Sequence, residues 1–435
     1  MRPLHIFALA CLALTAVSRA AAQAPPPPAS SVIAEIHFTG SQHYSEAVLA
    51  ATSGLKPGDA VTREQLQAIA DGFAALGIFS RANYRYANRD AKIVVQFEFE
   101  DAPTIPVSFD NFPWFTDDEI AAAIRADVPL FDGTAPADGS MLDQMDDAIS
   151  NLLSKRGVSG AIHHTLMAQP AGDDKMMQFH LDGSQLAIGS LEYGDSLARD
   201  AETLHDRNSD LIGKPFSRFA IDIFENEQVR PLYIASGRLA VRFGAPALKL
   251  SGDPNQPLPP KLDLVLPIDP GPVFQLSGVS ATGNTALDAA AITQLLSLAA
   301  GQLADGMKLA DSWLRIEQEY AHLGYLDVTV DPQPQFDPAA GAVAYRLVIT
   351  EGPKYHMGDL IVTGLSLDAA DALRLRWELH RGAVADGTYV DEMITKLEKP
   401  NKQIFGDLPV HYRKMGHLLR TNPDTQTVDV MIDFQ

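Results

Sequence analysis

Apolar and polar positions follow one order, repeated along this chain. Val32–Thr39 alternates with period two, Ile33 and Glu35 opposing Ala34, Ile36 and Phe38, as a half-buried strand does. Gly40-Ser41 breaks the run. Glu46–Thr52 predicts a short helix and Leu55-Lys56-Pro57-Gly58 a turn. Thr62 with Gln65 forms a capping box, and Leu66, Ile69, Phe73 and Leu76 follow at helical spacing. Gly77 ends that helix, since glycine takes positive φ without strain. Arg81–Ala87 and Lys92–Glu100 read as strands, the second with Ile93, Val95, Phe97 and Phe99 on one face. The unit is strand–helix–helix–strand–strand.

The helix-stop glycine returns as Gly157, Gly237, Gly324 and Gly406, at intervals of 80, 80, 87 and 82 residues. The closing strand returns with its alternation. Met177, Phe179 and Leu181 oppose Gln178, His180 and Asp182. Leu262, Leu264 and Leu266 surround Asp263. Val343, Tyr345, Leu347 and Ile349 form the fourth set, and Val428, Val430, Ile432 and Phe434 the fifth. A sheet wet on one face and covered by helices on the other is expected. The second helices carry matching stripes, Leu142, Met145, Ile149 and Leu152, then Leu309, Trp313, Ile316, Tyr320 and Leu323, read as core. The third unit diverges: its first helix, around Asp200–Ile212, is polar, Pro231 cuts its second helix, and Asp253–Pro260 lengthens its last loop. Pro400 interrupts the fifth unit's second helix.

The expected fold class is therefore α+β, in tandem β-α-α-β-β modules. The boundaries are 32–102, 103–183, 184–270 (divergent), 271–352 and 353–435. Linkers are short, and Pro270-Gly271-Pro272 is the expected hinge. Residues 1–22 read as a signal peptide, with an apolar run at Ile6–Val17 too short to span a bilayer and small residues Ala20 and Ala22 for cleavage. Residues 23–31 hold Pro25–Pro28, a stiff polyproline tether. No later apolar segment is long enough for a membrane helix, so no membrane span is expected in the mature chain.

Composition narrows the function. The net charge is −21, and −23 without Arg2 and Arg19 of the leader, which disfavours nucleic acid. The single cysteine, Cys11, lies in the leader, which leaves no thiolate for catalysis or metal in the mature chain. No cofactor is expected. Gly194-Asp195-Ser196-Leu197 looks like the GDSL of a hydrolase family, but no Asp-x-x-His follows to supply the base; Asp195 and Ser196 more simply cap a helix. His163-His164 point to opposite faces of a strand and cannot converge on one metal. Asp117-Asp118-Glu119 suits a helix N-terminus. Phe112-Pro113-Trp114-Phe115 is either a hydrophobic staple or contact between units or, through Trp114 and Phe115, an exposed anchor for a partner. A binding and scaffolding protein, not an enzyme, is the expectation.

Two stretches, LGIFSRANYRY (Leu76–Tyr86) and LGYLDVTVDPQ (Leu323–Gln333), resemble the turn from second helix to second strand of POTRA domains in the Omp85 superfamily. Gly40-Ser41 and Gly283-Asn284 match that family's first-strand turn. The resemblance spans about residues 32–435. It implies a three-stranded mixed sheet with two helices on one face and a periplasmic location. It also implies recognition of unfolded outer-membrane proteins or assembly-machinery proteins, often by β-augmentation. The second strands are the implied peptide edges: Leu239–Leu250, through Leu239, Val241 and Phe243, and Arg81–Ala87, through Ala82, Tyr84 and Tyr86. No further alternating strands follow Gln435, so an array lacking the family's membrane barrel is expected, with a passive spacer or one part of a split protein as alternatives.

Overall fold

The computed structural model describes residues 30–169, 174–249 and 257–435. The leader, nearly all of the proline tether, Leu250 and part of the Asp253–Pro260 loop lie outside them. Among the described residues the chain forms five successive sheet-and-helix modules. It divides into two compact units. One holds the first module and most of the second; the other holds the third to fifth with the Phe109–Trp114 turn.

The first module sets the pattern. Its strands Ser31–Thr39, Phe79–Arg89 and Lys92–Asp101 enclose helices Glu46–Ser53 and Arg63–Ala75. The capping box is present: Gln65 N–H donates to Thr62 Oγ1 (3.2 Å) and Thr62 N–H to Gln65 Oε1 (2.8 Å). Lys92–Asp101 lies centrally, parallel to Ser31–Thr39 and antiparallel to Phe79–Arg89. Val95 and Phe97 are fully buried, and Phe38, Phe73, Phe79 and Phe99 pack around them.

The alternation expected in the first strand is corrected. Ile33 and Phe38 both enter the core, because a bulge between Ile33 and Glu35 shifts the register by one residue. The same shift recurs in the first strands of the third, fourth and fifth modules. The expected three strands are also too few in the first two modules. Ala60–Val61 pairs with Ser31–Thr39, and Thr134–Ala135 with Ile105–Phe109, as short fourth strands. In the later modules single bridges, Ala187 to Pro215, Gln275 to Leu303 and His356 to Val384, take that place. In the second module, Leu153 rather than Leu152 closes the helix stripe, and Gln178 is only 8% exposed, so that strand is covered on both faces.

The third module departs most. The expected second strand Leu239–Leu250 is reduced to Arg242–Phe243 and Ala247–Leu248, which pair with different partners. Pro231 does not cut the helix. Arg218–Phe224 continues through a π turn, Glu225–Val229, into Arg230–Ala235. Pro400 behaves as expected: the fifth module's second helix stops at Leu397.

Glycines define the turns. A Cβ on Gly40, Gly283 or Gly364 would lie 2.2, 2.1 or 1.8 Å from the carbonyl oxygen of Phe99, Ile349 or Phe434 in the closing strand. The helix-stop glycines serve the junctions instead. Phe274 N–H donates to Gly237 O (2.9 Å) and Tyr355 N–H to Gly324 O (2.8 Å), and both aromatic rings are buried. Pro270-Gly271-Pro272, the expected hinge, is fastened: Arg238 Nη1 donates to Gly271 O (2.7 Å) and Gly271 N–H to Asp269 Oδ1 (3.1 Å).

Candidate functional site: the second-strand edges

Every sheet has two edges, and unpaired backbone groups there are ready to bind another strand. In these modules the edges are unequal. The outer side of each first strand is engaged, at least in part, by the segment between the two helices. The second strands Phe79–Arg89, Thr329–Asp337 and Met415–Asn422 end their sheets, and among the described residues no strand pairs with their outer sides. Each is paired to the closing strand from end to end, with one break at Ser80 in the first, and this holds it extended.

Phe79–Arg89 is the longest, at 11 residues. Ala82 and Tyr84 turn partly inward toward the helices, and the Tyr84 hydroxyl donates to Arg63 O (3.2 Å). Tyr86, on the same face, is 49% exposed. The opposite face is laced with charge: Arg81 to Glu100 (3.3 Å), Arg85 to Glu98 (2.7 Å) and Arg89 to Glu35 (2.7 Å). These exposed pairs add little stability but keep the face hydrated.

The fourth edge differs. Phe99 and Ile349 occupy the same place, each opposite its turn glycine. Counting from them along the paired strands, Tyr84 faces Phe97 and Tyr86 faces Val95, while Pro332 faces Leu347 and Pro334 faces Tyr345. The two prolines thus hold the register positions of the two tyrosines. Proline has no N–H, and on edge strands the missing donor faces solvent. The fifth edge carries His417 and Leu419 at those positions, with Leu418 exposed on the other face.

Of the other sequence-picked residues, Val241 is buried in the third module's core, Leu239 packs where a Cβ on Gly306 would touch it, and Phe243 lies under the Arg230 guanidinium at 5.0 Å. The expected edge there is not a continuous strand. Phe112 is fully buried, and Phe115 is 9% exposed with Arg156 over its ring at 5.5 Å, which leaves Pro113 and Trp114, both half-buried, as the accessible members of that quartet. Asp195 caps the Ser196–Arg199 helix, its Oδ1 accepting from Leu197 N–H (2.9 Å) and the Tyr233 hydroxyl (2.7 Å). His164 Nδ1 meets Asp146 Oδ2 (2.8 Å). Among the described residues no cluster of three or more metal-ligating side chains occurs, and no helix is long and apolar enough to cross a membrane.

These repeats define a class: tandem modules of a mixed sheet flanked by two helices. Residues 31–100 and 274–352, in the first and fourth modules, match the POTRA family, described as surface antigen variable number repeat, and the chain carries POTRA modules. Among solved structures, BamA POTRA3-5 of Haemophilus influenzae is similar at 19% identity over 57% of this chain and 96% of that one, with a TM-score of 0.44. The N-terminal domain of Omp85 from Thermosynechococcus elongatus aligns at 11% identity over 93% and 97%, with a TM-score of 0.22. CdiB from Escherichia coli aligns at 14% identity over 38% of this chain and 28% of its own length, with a TM-score of 0.20.

Proposed function

We propose that this protein is an exported, periplasmic array that binds client or partner polypeptides in outer-membrane protein assembly or transport. The POTRA modules support the setting, and a binding role in place of catalysis. The observation that carries the binding mode is the unequal edges of the first, fourth and fifth modules: the first strand is engaged, and the second is extended with, among the described residues, no strand on its outer side. An incoming strand of alternating apolar and polar residues would add to Phe79–Arg89 or Met415–Asn422 by β-augmentation. Tyr86 offers such a strand an apolar surface beside the backbone, and the prolines make Thr329–Asp337 the poorest acceptor of the three. The clients in this reading are unfolded outer-membrane proteins or components of their assembly machinery, including a separately encoded barrel.

The test is site-specific crosslinking of the full mature chain with a ten-residue peptide of alternating apolar and polar residues. Photoreactive groups at Ala82, Tyr86 and Leu418 are expected to trap it, and one at Gln333 is not. Equal labelling at all positions, or none anywhere, overturns the edge-binding mode and leaves a passive spacer.

A further inference from the structure

The third module buries a carboxyl group. Its second helix includes the π turn Glu225–Val229, with Pro231 two residues beyond it. A proline ring clashes with the carbonyl four residues earlier in a regular helix, and the wider turn relieves this. Glu225 opens that turn and lies on its buried side. Glu225 is 2% exposed and Val229 is fully buried beside it. Glu225 Oε1 is shielded from solvent and has no hydrogen-bond partner.

The surrounding groups do not neutralise a carboxylate. On its own helix stand Asp222 and Arg230. The Arg230 guanidinium is committed elsewhere, Nε donating to Asn226 Oδ1 (2.8 Å) and Nη1 to Val241 O (3.3 Å). From the first strand comes Tyr193, whose hydroxyl donates to Asn208 Oδ1 (2.6 Å). The Glu202–Arg207 helix packs against the π turn, and its Glu202, His205, Asp206 and Arg207 are exposed. Burial above all, then Asp222, push the Glu225 carboxyl up to about 8, with Arg230 offsetting part of the rise.

We propose that the third module is proton-gated: protonated Glu225 keeps the Arg218–Ala235 helix seated on its sheet, and loss of that proton unseats it. This rests on the burial, the orphaned oxygen and the π turn, and is independent of the edge-binding reading. The direction follows from linkage. The seated state holds the proton more tightly than an opened one, where glutamate is ordinary. The stabilisation is complete below the ordinary glutamate range, declines as pH rises toward about 8, and is constant above it. A buried acid that weakens its module at neutral pH is a feature of switches, where stability yields to function.

Hydrogen exchange on the full mature chain tests this at pH 6 and pH 9, corrected for the intrinsic pH dependence of amide exchange. The opening constant of 218–235 should rise about a hundredfold between them, with the Gly306–His322 helix as internal reference. Glu225→Gln, which keeps the shape and cannot ionise, should stay as protected at pH 9 as at pH 6. A wild-type helix with unchanged opening, or a Glu225→Gln helix that opens as the wild type does, overturns the proposal. Should that variant fail to fold, carbon-13 carboxyl titration of wild-type Glu225 decides: a midpoint well above the ordinary glutamate range supports the gate, and an ordinary midpoint removes it.

Discussion

The first and fourth modules share one template and end in opposite edges. Both match the same family, both turn on a glycine against the closing strand, and both tie that turn with a carboxylate. Asp101 Oδ2 accepts from the N–H groups of Gln42 (2.8 Å) and His43 (3.2 Å); Glu351 Oε1 accepts from those of Thr285 (2.5 Å) and Ala286 (2.7 Å). Yet Tyr84 and Tyr86 line one edge where Pro332 and Pro334 line the other. Hydrophobic spacing specifies the module. Edge chemistry is set at positions that this spacing leaves free, so copies of one fold can diverge in what they bind.

The largest effect should fall on what the two modules share. Gly40→Ala and Gly283→Ala each force a Cβ against a backbone oxygen at positive φ (+100° and +83°). Each should cost its own module about 3 kcal/mol. Gly341→Ala, also at positive φ (+60°) but with its nearest atom 3.5 Å away, should cost about 1 kcal/mol. Hydrogen exchange of the closing strands reads each module separately, which suits a chain of several cooperative units. Tolerance of one of the first two changes would break the common-turn argument.

The edges come next, and a reciprocal exchange sharpens them. Tyr86→Pro should weaken peptide binding at the first edge by about fivefold, the equivalent of one backbone hydrogen bond of about 1 kcal/mol. Pro332→Tyr with Pro334→Tyr should make the fourth edge a peptide acceptor, measured by the same crosslinking with the photoreactive group at Gln333. If the doubly exchanged edge stays inert, the prolines are not what separates the two modules.

Much of this was legible in the chain itself. The Thr62–Gln65 box, the helix-stop glycines and the closing-strand alternation of every module but the second appear where spacing placed them, because each is a local rule; in the second, Met176 and Gln178 are buried too. The first-strand bulge was not, since one extra residue at Ala34 inverts a period-two pattern without leaving a mark in composition. The Ala60–Val61 strand was too short to show a period. In the third module Pro231 signalled a break, and the tertiary packing turned it into a π turn that buries Glu225. The edge contrast had a visible sign in Pro332 and Pro334. It gained meaning only with the strand order, which shows that Thr329–Asp337 closes its sheet.

The smallest effect concerns acid. Glu351 lies where partial burial would raise its carboxyl, but hydrogen bonds from Thr285, Ala286 and the Tyr320 hydroxyl (2.9 Å) prevail and hold it below the usual glutamate range. A depressed folded pKa gives stability that is present above the ordinary glutamate value and is lost as pH falls through the folded one. The fourth module should therefore weaken below about pH 4, and Glu351→Gln should flatten that acid limb while lowering stability at pH 7. Tyr320→Phe, which removes one donor, should cost about 1 kcal/mol at pH 7 and shrink the acid response without abolishing it. Exchange rates of the Ala342–Thr350 strand between pH 3 and pH 7 measure this. An acid limb identical in wild type and Glu351→Gln would show that the turn is held by the glycine alone, and that the carboxylate shared with the first module is incidental.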